Sequence, residues 1–408
     1  MSKAKEKCVN LQIVFILHYL EMIAEHTGQI LWISVGVLTA IQLLYLYIVY
    51  NAVHRRNVTD RKGKIQHSEQ LQGVSVIIVA ADNEEQLAEN LPHILTQDYP
   101  DYEVIVVDDN SQDDTKELLK RLGEQYPHLY RTFTSDSVRY ISHKKLALTL
   151  GIKAAKKEWL LFTDPDCYPT SNQWISRMAR QFTNDTDVVI GYSNYERKSG
   201  FANWCYMYDT LLQQLRLLGL TLRGRGYMGI GRNMAYRREL FFRHKGYSSH
   251  LDLQRGEDDL FINEHVPAHR IAAEVSIDAT VRCTSANTYT WSADKLSRLF
   301  TRSKMHSIAP YLMGAETLSR VLLYTSIVAG IAYGIIQQQW IMVGVCAGLW
   351  ALRYACQTIV FHKTAHDLGE RRYNVSLALF DLLQPLWDLY FSLRLLCSSK
   401  RAHLRNKI

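Results

Sequence analysis

Hydrophobic positions are distributed unevenly along this chain. Gln29 to Tyr50 carries no charge, and about 22 such positions can cross a hydrocarbon core of about 30 Å, so the run predicts a transmembrane helix. Upstream, Leu11 to Ala24 is apolar but interrupted by His18 and Glu21, which predicts a helix lying in the interface. Thr317 to Phe361 has room for two membrane helices turning at Gln337-Gln338-Gln339. Ser376 to Cys397 is apolar around Asp381, Pro385, Asp388 and Arg394, the pattern of an interfacial or re-entrant helix ahead of a basic tail. A cleaved signal peptide would be a shorter run at the extreme N-terminus, so the anchor is expected to stay attached.

Between these segments the pattern changes. VSVIIVAA precedes the polar NEEQLAENLPHIL, YEVIVVDD precedes TKELLKRLGEQY, and EWLLFTDPD follows KKLALTLGIKAAK. Buried-strand runs alternating with helical periodicity imply an α/β domain with a mostly parallel sheet and covering helices. Three strands then deliver polar residues at their C-terminal ends, where open α/β sheets bind ligands. The expected organisation is an N-terminal anchor region with a basic linker (1–73), a catalytic-type domain (74–313) and a C-terminal membrane region (314–408).

Charge refines the topology. The formal net charge is +7, with Lys and Arg beside the apolar segments, as in Arg55-Arg56, Arg61-Lys62, Arg371-Arg372 and Lys400-Arg401. The cluster HRRNVTDRKGK after the anchor puts the middle domain on the cytoplasmic side of a multi-pass inner-membrane protein. Lys3, Lys5 and Lys7 oppose this orientation unless the first segment also crosses or the later charges dominate. A nucleic-acid partner is not expected, for want of a basic stripe with aromatics or a reading motif. Seven cysteines without a CxxC pair predict a reduced compartment, no disulfide framework and no zinc site.

Three acidic groups carry candidate chemistry. Asp108-Asp109 closes an apolar strand and is suited to hold a nucleotide base or ribose, although a strand-end turn would use the same residues. Asp164-Pro165-Asp166 closes another, and two carboxylates at a strand tip suit Mg²⁺ or Mn²⁺ with positions open to phosphate oxygens. Lys144 and Lys145 fall near the same edge, where an ammonium would offset phosphate charge. Glu257-Asp258-Asp259 precedes a helical turn and offers either a general base or an acidic cap on the helix.

In order along the chain, VSVIIVAADNEE, VIVVDDNSQDDT, HKKLALTLGIKAA, WLLFTDPDC, GIGRNMAYRREL and GEDDLF resemble family 2 glycosyltransferases of the GT-A fold in their membrane-bound bacterial form. The resemblance runs from about Val74 to Tyr311. It implies that Asp108 and Asp109 hold the base and ribose of a nucleotide-diphosphate sugar. Asp164 would bind ribose and, with the better-placed Asp166, a divalent metal. Lys145 or Lys144 would approach the diphosphate. Asp258 would be the base, with Glu257 beside it, and Gly231, Arg232 and Asn233 would line the acceptor side. Two departures stand out. The Glu-Asp string is compressed to Glu257-Asp258-Asp259-Leu260, so Asp259 is an alternative base. The segment before the C-terminal helices reads RSKMHS in place of an arginine-containing motif, leaving Arg302, Lys304 or His306 to supply positive charge to the leaving group and casting doubt on processive synthesis.

The implied reaction is inverting sugar transfer to a lipid-linked or other cell-envelope glycan acceptor. A non-catalytic nucleotide-sugar sensor would have little use for Glu257-Asp258 and the Gly-Arg-Asn segment. A nucleotidyltransferase would show a glycine-rich phosphate loop where this chain has Ala80-Ala81-Asp82-Asn83-Glu84.

Overall fold

The computed structural model describes residues 26–68, 70–134, 142–251 and 253–397. The expected interfacial segment Leu11 to Ala24 and the basic tail after Cys397 lie outside them. Among the described residues three helices are long and apolar enough to cross a membrane: α1 (His26–Arg61) and, after the middle domain, two of 28 residues each, Ala309–Ile336 and Trp340–Asp367. A left-handed residue, Gln338, turns the chain between the latter two.

The chain divides into two compact units. In the first, residues 1–47 and 312–359, the helices close around Val35, Leu323, Ile327, Met342 and Cys346. Several of its buried polar side chains are paired with one another. Gln42 donates to the Glu316 carbonyl and the Ser319 hydroxyl, and Arg353 donates to Gln42, Tyr324 and Gln357. That pairing is what a helix bundle in an apolar medium requires.

The second unit, residues 48–311 and 360–408, is built on β1 (Val74–Ala80), α2 (Glu84–Leu95), β2 (Tyr102–Asp108), α3 (Thr115–Gln125), β3 (Leu129–Phe133), α4 (His143–Ala154) and β4 (Trp159–Phe162). Then come β5 (Cys167–Pro169), α5 (Trp174–Ala179), β6 (Val188–Gly191), β7 (Ser193–Tyr195), α6 (Phe201–Thr221), β8 (Met234–Arg237) and α7 (Arg238–Arg243). It continues with α8 (Asp259–His265), β9 (Ile271–Glu274), β10 (Val281–Cys283) and α9 (Thr288–Arg302), and after the two apolar helices α10 (Ala309–Ile336) and α11 (Trp340–Asp367) it ends on α12 (Val375–Cys397). The main sheet has seven strands in the order β3-β2-β1-β4-β8-β6-β9, with β8 antiparallel to both neighbours and every other pairing parallel. The central strands are apolar on both faces because helices cover both. Gly151 lets α4 approach closely, since a Cβ there would sit 2.9 Å from the Ile77 side chain and 3.1 Å from that of Val107.

A three-stranded sheet, β5-β10-β7, flanks the main one. In its antiparallel pair Cys167 stands directly opposite Cys283, and the two form a disulfide. This corrects the expectation of no disulfide framework: 116 residues separate the partners, so spacing alone carries no sign of a pairing that the small sheet creates.

Helix α12 is amphipathic. Leu377, Phe380, Asp381, Gln384 and Phe391 are buried, while Leu382, Leu386, Leu389 and Leu393 are more than half exposed. Its inner side is tied to α6 and α9 through buried Lys295, whose ammonium lies 2.6 Å from Asp209 and 2.7 Å from Asp388. The indole N–H groups of Trp291 and Trp387 donate to Asp209 as well.

Candidate active site

The register of β1 with β2 and β4 aligns the C-terminal ends of these strands, setting Ala80 opposite Asp108 and Ile77 opposite Phe162, two residues before Asp164. Past that edge lies an open cleft lined by Lys144, Asp164, Gly231, Arg232, Glu257 and Asp258, among others. Asp108 and Asp109 stand at the tip of β2, apart from the lining residues. Asp108 Oδ1 accepts the Ser111 N–H at 2.9 Å in a strand-end turn, while its buried Oδ2 has no hydrogen-bond partner among the described residues. Asp109 accepts from the Thr134 hydroxyl at 2.7 Å.

The Asp164-Pro165-Asp166 turn is pinned through its backbone. Asn90 donates to the Pro165 carbonyl at 3.1 Å, and the Thr284 N–H donates to the Asp166 carbonyl at 2.8 Å. Ligating atoms of Asp164, Asp166 and Cys167 lie within 4.8 Å of one another. The sulfur is held in the disulfide, so the free donors are two carboxylates. Hard oxygen donors too few to fill a coordination shell fit Mg²⁺ or Mn²⁺ that takes its remaining ligands from phosphate and water. Burial and the Asp164 charge raise the Asp166 pKa, against the pull of Arg232.

Lys144 bridges the strand tip and the acidic turn, 3.4 Å from Asp164 and 3.3 Å from Glu257. Asp164 foremost, then Glu257 and Asp258, hold its pKa above the ordinary lysine value in spite of some desolvation. Asp258 caps α8: its Oδ1 accepts the Asp259 N–H at 2.8 Å and its Oδ2 the Gly231 N–H at 2.9 Å. Burial and neighbouring Glu257 raise its pKa, although those two N–H groups and Lys144 favour the charge. Asp259 also lines the cleft, but its carboxylate is already engaged. It accepts from the Thr301 hydroxyl and from the Leu260 N–H, and burial together with Asp258 pushes its pKa up to about 7.

Several residues expected at the site are occupied elsewhere. Lys145 is fully buried, and its ammonium donates to the carbonyls of His250, Leu253 and Arg255 at 2.6, 2.9 and 3.0 Å. It braces the loop leading into the acidic turn, and Lys144, its neighbour on α4, faces the cleft. Asn233 is likewise buried, joining the Tyr192 and Ala279 carbonyls at 2.8 Å each and accepting from the Trp174 indole at 3.0 Å. Gly191 leaves room for that amide, since a Cβ there would meet it at 2.3 Å. Arg302 donates to the Pro310 carbonyl, the Lys304 ammonium lies 5.5 Å over the Phe300 ring, and the His306 backbone N–H donates to the Asn263 side-chain oxygen; none of the three lines the cleft. The cations that do, besides Lys144 and Arg232, are Arg255 and Arg298. They were missed because single arginines in a loop and on an amphipathic helix read as solvated charge. Asp294 was missed too. Burial would raise its pKa, but Arg232, Arg298 and Arg255 outweigh that and hold it at about 2.

Residues 75–243 match the family model described as glycosyl transferase family 2. Among curated proteins, the chain is 30% identical over 128 residues to glycosyltransferase GlyG of Streptococcus pneumoniae serotype 4, covering 31% of this chain and 41% of the relative. It is 34% identical over 130 residues to glycosyltransferase AglE of Haloferax volcanii, again covering 31% and 41%. The chain thus spans about two fifths of the length of these relatives. The structure resembles that of the mannosyltransferase PcManGT from Pyrobaculum calidifontis in complex with GDP-Man and Mn²⁺, with a TM-score of 0.52 and 18% identity over 88% of this chain and 99% of the other. At that identity the likeness speaks for the fold. Motif order, family model and sheet topology agree, and this chain carries a family 2 glycosyltransferase domain of the GT-A fold.

Proposed function

We propose that the chain transfers a sugar, with inversion, from a nucleotide-diphosphate sugar to an acceptor hydroxyl, and that the acceptor is a lipid-linked or other membrane-proximal glycan. The observation that carries the proposal is the meeting of Asp164, Lys144 and Asp258 in one cleft at the C-terminal strand edge. Asp108 and Asp109 would hold base and ribose at the tip of β2. Asp164 and Asp166 would hold Mg²⁺ or Mn²⁺, which when bound neutralises charge on the diphosphate. Lys144, beside Asp164, offsets further phosphate charge.

Asp258 takes the proton of the acceptor hydroxyl. Its oxygen attacks the anomeric carbon in line, the bond from that carbon to the diphosphate oxygen breaks, and the nucleotide diphosphate leaves with the electron pair. A buried carboxylate with a raised pKa is a better base than one in water. Two backbone N–H bonds orient it, and no covalent sugar-enzyme intermediate is needed. Gly231 and Arg232 belong to the wall on which the acceptor would lie. The helices apolar enough to span a bilayer and the leucine face of α12, with basic residues flanking the apolar segments, support a multi-pass inner-membrane location with the domain on the cytoplasmic side and an acceptor at the membrane surface.

The test is a donor screen on detergent-purified protein with Mn²⁺ or Mg²⁺ and membrane lipid extract, following nucleotide diphosphate release. Metal-dependent release of one diphosphate, abolished in Asp166→Asn and Asp258→Asn, is the expected outcome. Donor binding without release in the presence of acceptor would favour a nucleotide-sugar sensor instead.

A further inference from the structure

The cleft is electrically divided. On one side Asp164, Glu257 and Asp258 surround a single ammonium, Lys144. On the other, three guanidinium groups gather around one carboxylate. Asp294 pairs with Arg232 and lies 3.4 Å from Arg255, and the Arg298 charge also acts on it. Arg232 is drawn toward Asp164 as well, 3.7 Å away, and Arg298 bonds the neutral Gln213. Arg255 and Arg298 therefore share a carboxylate that Arg232 already engages, and both line the cleft. Excess positive charge on a cleft wall is costly for the fold unless an anion uses it, and planar guanidinium forks match phosphate oxygens.

We infer that Arg255 and Arg298, gathered by Asp294, form a phosphate-binding site in the cleft beside Asp258. The inference rests on the transferase reading of the same cleft and supplies what RSKMHS does not, because Arg302, Lys304 and His306 do not line it. The phosphate has two possible sources, the departing nucleotide diphosphate or a phosphate on the acceptor. Asp294 is a positioning residue here: it holds the guanidinium groups at the wall and need not touch the ligand.

The experiment uses full-length protein in detergent with Mn²⁺, and Arg255→Gln, Arg298→Gln and Arg298→Lys variants. The Arg255 side chain is 53% exposed, so its replacement leaves the fold intact, and apparent Tm checks this for each variant. Binding is measured for UDP and GDP and, separately, for farnesyl phosphate against farnesol. Loss of a charge-assisted bond weakens phosphate binding about tenfold per arginine, with partial recovery in Arg298→Lys. A loss confined to UDP or GDP identifies the donor as the source, and a loss confined to farnesyl phosphate identifies the acceptor. Wild-type affinity of both Gln variants for all three phosphates overturns the inference. Asp258→Asn keeps the two failures apart, for it tests turnover while leaving the arginines in place. Turnover lost there with phosphate binding unaltered in the arginine variants would sink only the present inference.

Discussion

Replacing Lys145 with methionine separates two roles for this residue. Methionine matches the stem in length and leaves no large cavity, so the change removes mainly the ammonium. Three bonds of 2.6, 2.9 and 3.0 Å to the carbonyls of His250, Leu253 and Arg255 disappear. Bonds to charged groups are worth about 1.5–3 kcal/mol each, which would total about 4–9 kcal/mol for three. Two effects reduce that figure. The ammonium no longer has to be desolvated, a relief of several kcal/mol, and the loop is exposed at Leu251 and Arg255, so freed carbonyls can recruit water. A net destabilisation of about 2–4 kcal/mol remains. The catalytic effect is larger because the loop leads directly into Glu257 and Asp258. Displacing the base by about 1 Å costs about 100-fold in rate. Purified Lys145→Met protein should show a lower apparent Tm and a kcat reduced about 100-fold, with donor affinity changed less than about twofold. Weakened donor binding with kcat preserved would refute this reasoning and return the ammonium to the diphosphate, and wild-type values throughout would mean that the loop does not depend on it.

Asp258→Asn should lower turnover by about 10²–10⁴-fold, whereas Asp259→Asn, whose side chain bonds Thr301, stays within about tenfold of wild type; equal losses in steady-state kinetics would contradict the assignment. Because the base must be ionised and its pKa is raised by burial and Glu257, activity should rise with pH along an acid limb above the ordinary aspartate value of about 3.9, and a limb at or below that value would count against Asp258. For Asp259, raised to about 7 in the fold, the protonated form is the favoured one. Its stabilising contribution is therefore complete below the unfolded value of about 3.9 and lost as pH rises through about 7, and Asp259→Asn should flatten that fall in apparent Tm. Gly191→Ala drives a methyl into the Asn233 amide and should destabilise the domain by about 1–3 kcal/mol, read as a lower apparent Tm; an unchanged value would show that the amide has room to move.

What the sequence discloses is what local pattern encodes. The apolar runs of β1, β2 and β4, and the acidic residues that end them, are contiguous, so strands and candidate carboxylates are legible together. The inner direction of a helix is less so. Lys144 and Lys145 are adjacent, about 100° apart around α4, and only packing on the sheet decides which one reaches the cleft and which is buried. Asn233 sits inside a segment that looks like one functional motif, yet its amide joins Tyr192 to Ala279, contacts made by strands far apart in sequence. Asp294 and Arg298 are one turn apart on α9, a spacing that ordinarily marks a solvated pair. Their role follows from α9 lying against the cleft, which no local pattern encodes.

The bond between Cys167 and Cys283 also limits how the site can move. Cys167 follows Asp166 directly, and Cys283 precedes Thr284, which donates twice to the Asp166 carbonyl. Four residues further on, α9 begins and carries Asp294 and Arg298. Asp166, suited to a cation, and Arg298, suited to an anion, are therefore mounted on one cross-linked piece of backbone, while Arg255 belongs to the segment across the cleft. Breathing of the cleft is then expected at its opposite jaw, the segment carrying Glu257 and Asp258, whose carbonyls Lys145 and the His250 ring grip and which Asp259 ties to Thr301. Admission of substrate and departure of product would be governed by that softer jaw, and amide hydrogen exchange there should be faster than along β10.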